Sequence, residues 1–206
     1  MANNCSTQIR FYGNEEAIGD LLERVKYAIS EGVGEEIKGY CNRYWLGNVT
    51  REFGIDFEAE GISVRGSIDC VDVDTNTIYT DTAWVPKLQM WNAIIAKHYS
   101  DDSGEPLIYF DWLAEEFGCD IYCTNNISEF SGMNYCVDYE IGNNADMDYG
   151  FDEDDILEII NNALEEAGMK PIGSISEVED IYDELDEHGW FISVHKLEEV
   201  DTCYFD

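Results

Sequence analysis

Basic side chains are what this chain has least of. Its 206 residues include only 11 Lys and Arg against 45 Asp and Glu, a formal net charge of −34 at pH 7. Such a chain repels polyanions, which excludes nucleic acid and anionic membranes as direct ligands and favours basic partners. Long apolar runs are also missing. No stretch approaches the about 18 consecutive apolar residues of a membrane span, and Met1-Ala-Asn-Asn-Cys5 lacks the basic and apolar regions of a signal peptide, so neither is expected. Seven cysteines, an odd number without framework spacing, read as reduced thiols in a host-cell cytoplasm. There is no phosphate-cradling Gly loop. Apolar residues nevertheless make up 45% of the chain, enough for a real core and too many for a disordered tail.

The acids are unevenly spread. Residues 1–100 carry nine basic and fifteen acidic side chains; residues 101–206 carry two basic ones (Lys170 and Lys196) and thirty acidic. Solubility needs a net charge of only about 2–8 on a small domain. Concentrated charge costs stability through self-repulsion, so it implies a use. A salt-adapted proteome is the bland alternative, but seven Cys, fourteen Asn and many Ile argue for an ordinary low-GC genome.

Periodicity gives the elements. Gln8-Ile-Arg-Phe-Tyr12 alternates as a half-buried strand does. Asn14 then caps a helix with Ala17, Ile18, Leu21, Leu22, Val25, Ala28 and Ile29 on its apolar face. Residues 35–53 have room for a shorter helix carrying Tyr40, Tyr44 and Trp45. Two strands, 62–73 and 78–84, flank the turn residues Asp74-Thr-Asn-Thr77. Pro86 opens a helix with Leu88, Trp91, Ile94, Ile95 and His98 on its buried stripe. Strands follow at 107–110, 121–123 and 134–141. The β-α-β-β-α-β-β-β order predicts an α+β fold, a ferredoxin-like antiparallel sheet with two helices on one face.

The last third is an acidic extension. Residues 142–150 read as a polar connection and 152–167 as a helix closed by Gly168. Ser176-Glu177-Val178-Glu179 is a capping box for a helix that buries Val178, Ile181, Tyr182 and Leu185, and 190–197 is a strand. The expected domains are 1–141, ferredoxin-like, and 142–206, a helix-helix-strand extension packed on it.

Two segments carry a family likeness. Met1-Ala-Asn-Asn-Cys5-Ser-Thr, a strand and Gly13 resemble the "M-P-N-W-C-x-N … G" opening of YubB-like proteins, with Ala2 and Asn4 where that pattern has Pro and Trp. Tyr79-Thr-Asp-Thr-Ala-Trp84-Val-Pro86, then a helix, then Glu115-Glu-Phe-Gly118, resembles their "T-x-W-x-P … E-x-G" segment. The resemblance spans residues 1–140. It implies a ferredoxin-like fold and an origin on plasmids, phages or related elements, and it carries no catalytic residues.

Chemistry is hard to find in the pattern. Among 45 carboxylates, close pairs are unavoidable and so uninformative about acid–base catalysis. His98, His188 and His195 fit a helix face, a helix C-terminus and a strand. Cys119 and Cys123 lack a second Cys/His pair at zinc-finger spacing. Asp72-x-Asp74-x-Asn76 and Asn144-x-Asp146-x-Asp148 begin like calcium loops, but each departs from the required Gly position. No cofactor or metal is expected. An enzyme would have its site on the sheet near Trp84, Trp91 and Trp112.

The acidic helices are the stronger signal. Asp152, Glu153, Asp154, Asp155, Glu158, Glu165 and Glu166 on one helix, and Glu177, Glu179, Asp180, Asp183, Glu184, Asp186 and Glu187 on the next, fill almost every position that the apolar stripes leave free. Tyr149, Phe151, Tyr182 and Trp190 are candidate anchors beside them or else core and sheet-packing residues, and packing is the expected role of Trp190. The expected partner is a basic protein surface, a nucleic-acid-binding nuclease or effector, and the expected role a non-enzymatic anti-CRISPR or antirestriction inhibitor mimicking nucleic acid. An accessory binder of some other basic protein is the alternative. Homodimerisation through a sheet edge or exposed aromatics stays open.

Overall fold

The structure, a computed structural model, describes residues 4–30, 43–119 and 121–201. The chain divides into two compact units, Met1–Asn125 with Val200–Asp206, and Asn126–Glu199. The sequence pattern alone puts the boundary after residue 141. The strand ending there pairs on both sides with strands of the acidic segment and so groups with it.

The first unit begins with β1 (Asn4–Gly13), whose alternation sends Cys5, Thr7, Ile9 and Phe11 inward. Asn14 ends the strand and caps α1 (Glu15–Ala28), its side chain accepting from the Ala17 N–H at 3.0 Å. There follow α2 (Leu46–Glu52), β2 (Gly66–Asp72), β3 (Thr77–Ala83), α3 (Leu88–His98), β4 (Ile108–Glu116) and β5 (Ile121–Thr124). Within this unit the sheet order is β2-β3-β1-β4-β5. β1 is central and antiparallel to both neighbours, Ile9 facing Ile78 on one side and Trp112 on the other. These residues share one core with Leu21, Leu22 and Val25 of α1, Val49 of α2 and Trp91 and Ile94 of α3. On the opposite sheet face Tyr12 and Tyr109 stack with ring centroids 5.8 Å apart, both about half exposed.

Several local expectations shift. Tyr40 lies outside the described residues, and the short helix starts after Trp45, its N-cap. Only Gly66–Asp72 of the expected 62–73 strand is paired. Helix α3 starts at Leu88 with Lys87 as N-cap, so Pro86 precedes the helix. His98 is exposed, and its ring lies 2.6 Å from the Phe53 carbonyl oxygen, while the next residue, Tyr99, is buried.

The second unit is a three-stranded sheet in the order β7-β6-β8, all antiparallel, with helices against one face. Its strands are β6 (Tyr135–Ile141), β7 (Asn144–Gly150) and β8 (Phe191–Lys196); its helices are α4 (Glu153–Glu166) and α5 (Tyr182–His188). Residues 142–150 are therefore not a connection. Gly142, at φ +65°, and Asn143 make a two-residue turn, and Asn144–Gly150 returns as a strand paired to β6. The last acidic helix is also corrected, since Ile175–Ile181 forms a 3-10 turn and only Tyr182–His188 is α-helical. The residue at the N-cap of the 3-10 turn is Ser174, not Ser176, and α5 follows with Ile181 as its N-cap. The Glu177 carboxylate reaches back to accept from the Gly173 N–H at 3.0 Å. Tyr182, expected inside, is 48% exposed.

Candidate functional site

The acids of the second unit are held by a well-determined helix. Asp152 stands at the N-cap of α4 and accepts from the N–H groups of Asp154 and Asp155 at 3.0 and 3.1 Å. Asp155 accepts from the Phe151 N–H at 2.9 Å. Negative charge here meets the positive end of the helix dipole. Ile156, Ile160, Ala163 and Leu164 bury the inner face against Val137 and Ile141 of β6, which turns Asp154, Glu158, Glu165 and Glu166 outward. Glu153 accepts from the Tyr135 hydroxyl at 3.0 Å, and Glu166 from the Asn144 side-chain amide at 2.6 Å.

The other acidic row is arranged in the same manner. Val178 and Leu185 point inward to the same core. Glu177, Glu179, Asp180, Asp183, Glu184, Asp186 and Glu187 remain outside, and Gly189 at φ +70° ends the helix. All fourteen expected binding carboxylates are exposed. Among the described residues none of them is in a salt bridge, whereas in the first unit Arg24 pairs with Asp20 and with Glu52. Lys170 and Lys196 are the second unit's only Lys or Arg, against twenty-one acids.

The sequence reading passed over further acids. Asp146 and Asp148 of β7 sit opposite Tyr139 and Val137 of β6. Burial first, and then the charges of Asp148, Asp146 and Glu166, push the Tyr139 phenol up from its usual value. The Asp146-Met147-Asp148-Tyr149 alternation is the signal that places these acids on a strand rather than in a polar connection. Phe151 at 58%, Tyr182 at 48% and Tyr149 at 37% exposure lie among the acids in the chain. Trp190 is half-buried, with its indole stacked on the His188 ring at 4.5 Å.

Trp91 and Trp112 are at most 1% exposed and fill the first unit's core, whereas Trp84 is 45% exposed with its backbone at φ +72°. Cys119 is exposed and Cys123 buried. Asp72 is held in a turn, its carboxylate accepting from the Asp74 N–H and the Thr75 hydroxyl. Among the described residues no group of three or more His, Cys, Asp or Glu is arranged to hold a metal ion, and no helix is long and apolar enough to cross a membrane. Compared with known proteins, the chain matches no protein-family model, no curated protein and no solved structure. What it does must be read from its own chemistry.

Proposed function

We propose that this protein is a non-enzymatic counter-defence protein of a phage or plasmid, working in the host-cell cytoplasm. It occupies the basic nucleic-acid-binding surface of a nuclease, as an anti-CRISPR or antirestriction inhibitor acting by nucleic-acid mimicry. One observation carries the reading: fourteen exposed carboxylates, without salt-bridge partners among the described residues, crowd the outside of a folded unit that has two lysines and no arginine. A DNA strand places one charge per about 3.4 Å, and carboxylates four apart on a helix lie about 6 Å apart along its axis. The two acidic rows together approach that density. A basic channel is drawn to such a surface rapidly and in a salt-dependent way. Exposed Phe151, Tyr182 and Tyr149 add contacts that do not depend on charge.

The first unit supports a mobile-element origin. We read it as ferredoxin-like and related to YubB-like proteins, on the strand order β2-β3-β1-β4 with antiparallel neighbours. Helices between β1 and β2, and between β3 and β4, fit the same topology. Core packing of Trp91 and Trp112 favours a binder over an enzyme with its site at the Trp cluster.

Competition tests the reading. A panel of CRISPR effectors and restriction enzymes is assayed for DNA binding and cleavage with the protein present, at near-physiological salt. Loss of DNA binding by one member, relieved by higher salt and by reversing Asp183, Glu184, Asp186 and Glu187 to Lys, is the expected result. Inhibition unchanged by those reversals refutes mimicry. If the whole panel is untouched, the accessory-binder alternative takes its place.

A further inference from the structure

β7 is an edge strand of the second unit's sheet, paired among the described residues with β6 alone. The turn fixes which of its backbone groups face outward. Residues flanking a two-residue hairpin turn form a hydrogen-bonded pair, and such pairs recur at every second position. Ile141 and Asn144 flank the turn, so Tyr139–Asp146, Val137–Asp148 and Tyr135–Gly150 are the bonded pairs. Ala145, Met147 and Tyr149 therefore aim their N–H and C=O groups away from β6. The Met147 N–H shows this directly, because it donates to the Asp146 carboxylate at 2.9 Å instead of to a β6 carbonyl.

The side chains along this rim are sorted by face. Asp146 and Asp148 lie on the side of Tyr139, where Glu166 adds a third negative charge. Met147 and Tyr149 lie on the other side, 42% and 37% exposed. A second copy is a poor occupant: antiparallel self-pairing centred on Met147 sets Asp146 against Asp148 twice, and like charges directly opposite each other destabilise a sheet. An added strand with cations at alternate positions meets the opposite situation.

We propose that the β7 edge accepts an extended basic segment of the partner as a fourth strand of this sheet, with Lys or Arg beside Asp146 and Asp148 and apolar residues against Met147 and Tyr149. The mode is β-strand addition, in which main-chain hydrogen bonds give affinity and alternate side chains give specificity. It rests on the reading of the second unit as a binder of basic protein surfaces, and it adds the conformation and pattern of the segment bound.

The test uses the full chain and a fluorescein-labelled peptide of alternating arginine and valine. A second peptide carries an N-methyl group on every backbone nitrogen, which removes the donors from both strand edges and keeps the charge. The expected result is binding of the first peptide and about tenfold or weaker binding of the second, the equivalent of one or two lost hydrogen bonds. Met147→Pro, which removes an N–H that β6 does not use, lowers affinity for the first peptide by a similar factor, while Met147→Ala leaves most of it. Equal binding of the two peptides overturns the proposal, whether or not the proline variant folds. So does a dimer in sedimentation that Met147→Pro dissociates, because the rim would then belong to a second copy. Nuclease inhibition that survives Met147→Pro but not the Lys reversals on α5 also overturns strand addition and leaves mimicry standing. Discrimination between the peptides without inhibition of any nuclease supports strand addition and removes mimicry.

Discussion

The Tyr99 hydroxyl donates to the Asp20 carboxylate across 2.7 Å, tying the end of α3 to α1. Burial first, and then the hydrogen bond and charge of Asp20, hold the phenol well above its ordinary value. The folded protein thus keeps this proton to higher pH than the unfolded chain, whose tyrosines titrate near about 10. The stabilisation is complete below that pH and is lost as pH climbs toward the folded value. Tyr99→Phe is expected to cost about 1 kcal/mol at neutral pH. It should also flatten the fall in stability above pH ~10, where this phenol titrates in the unfolded chain but not in the folded one. Urea unfolding at neutral and alkaline pH checks both.

Asp152 has a structural role and a charge that can be separated. Asp152→Ala removes the cap from the Asp154 and Asp155 N–H groups and is expected to cost about 1 kcal/mol. Asp152→Asn keeps the cap, loses the charge and stays near wild-type stability. If Asp152 also faces a basic partner, Asp152→Asn weakens that binding without unfolding. Denaturation and binding, measured on both variants, distinguish the two roles.

How much of this could be read in advance depends on which force decided each element. Helix α4 was legible from Asp152 to Ala167 because its cap, its Ile156–Ile160–Leu164 stripe and Gly168 all agree. β1 and α1 were legible for the same reason. β7 was missed because Asn144, Asp146 and Asp148 are weak strand formers. The Gly142–Asn143 turn and the pairing with β6 make the strand, and these are relations between residues far from any local apolar pattern. Tyr182 was placed inside because it falls on the stripe of a continuous α-helix, but Ile175–Ile181 winds at the tighter 3-10 pitch and changes the phase. The fourteen acids were easy to nominate, since a face so rich in charge has only solvent to turn toward.

Thiol reactivity should separate the cysteines by burial. Burial pushes the Cys5 thiol up to about 11, despite hydrogen bonding to Thr7 and Thr82 that works the other way. Cys123 and Cys136 are also buried, whereas Cys70 and Cys119 are exposed. Alkylation of the native protein at pH ~8, just below an ordinary thiol pKa, is expected to label Cys70 and Cys119 and spare Cys5, Cys123 and Cys136. All five react in denaturant. Peptide mass spectrometry reads the sites, and native labelling of Cys5 would contradict its place between β1 and the helices.

The second unit should depend unusually on salt. Fourteen exposed carboxylates, without salt bridges among the described residues, repel one another, and Asp186 and Glu187 stand in the last turn of α5, where the helix dipole disfavours negative charge. At about 0.01 M salt the screening length is about 30 Å, so the whole acidic surface interacts; near 1 M it falls to about 3 Å and only direct neighbours do. Raising salt across this range is therefore expected to increase the unfolding midpoint. Neutralising Asp186 and Glu187 to Asn and Gln should stabilise by a few tenths of a kcal/mol at low salt and by almost nothing at high salt. Those substitutions remove charge that folding does not need but a basic partner would use, so they should also slow association with that partner. Thermal melts and stopped-flow binding at both salt concentrations test the two halves separately. A melting curve indifferent to salt would mean that the carboxylates lie too far apart to repel one another measurably, and that charge density falls short of what mimicry of a phosphate backbone requires.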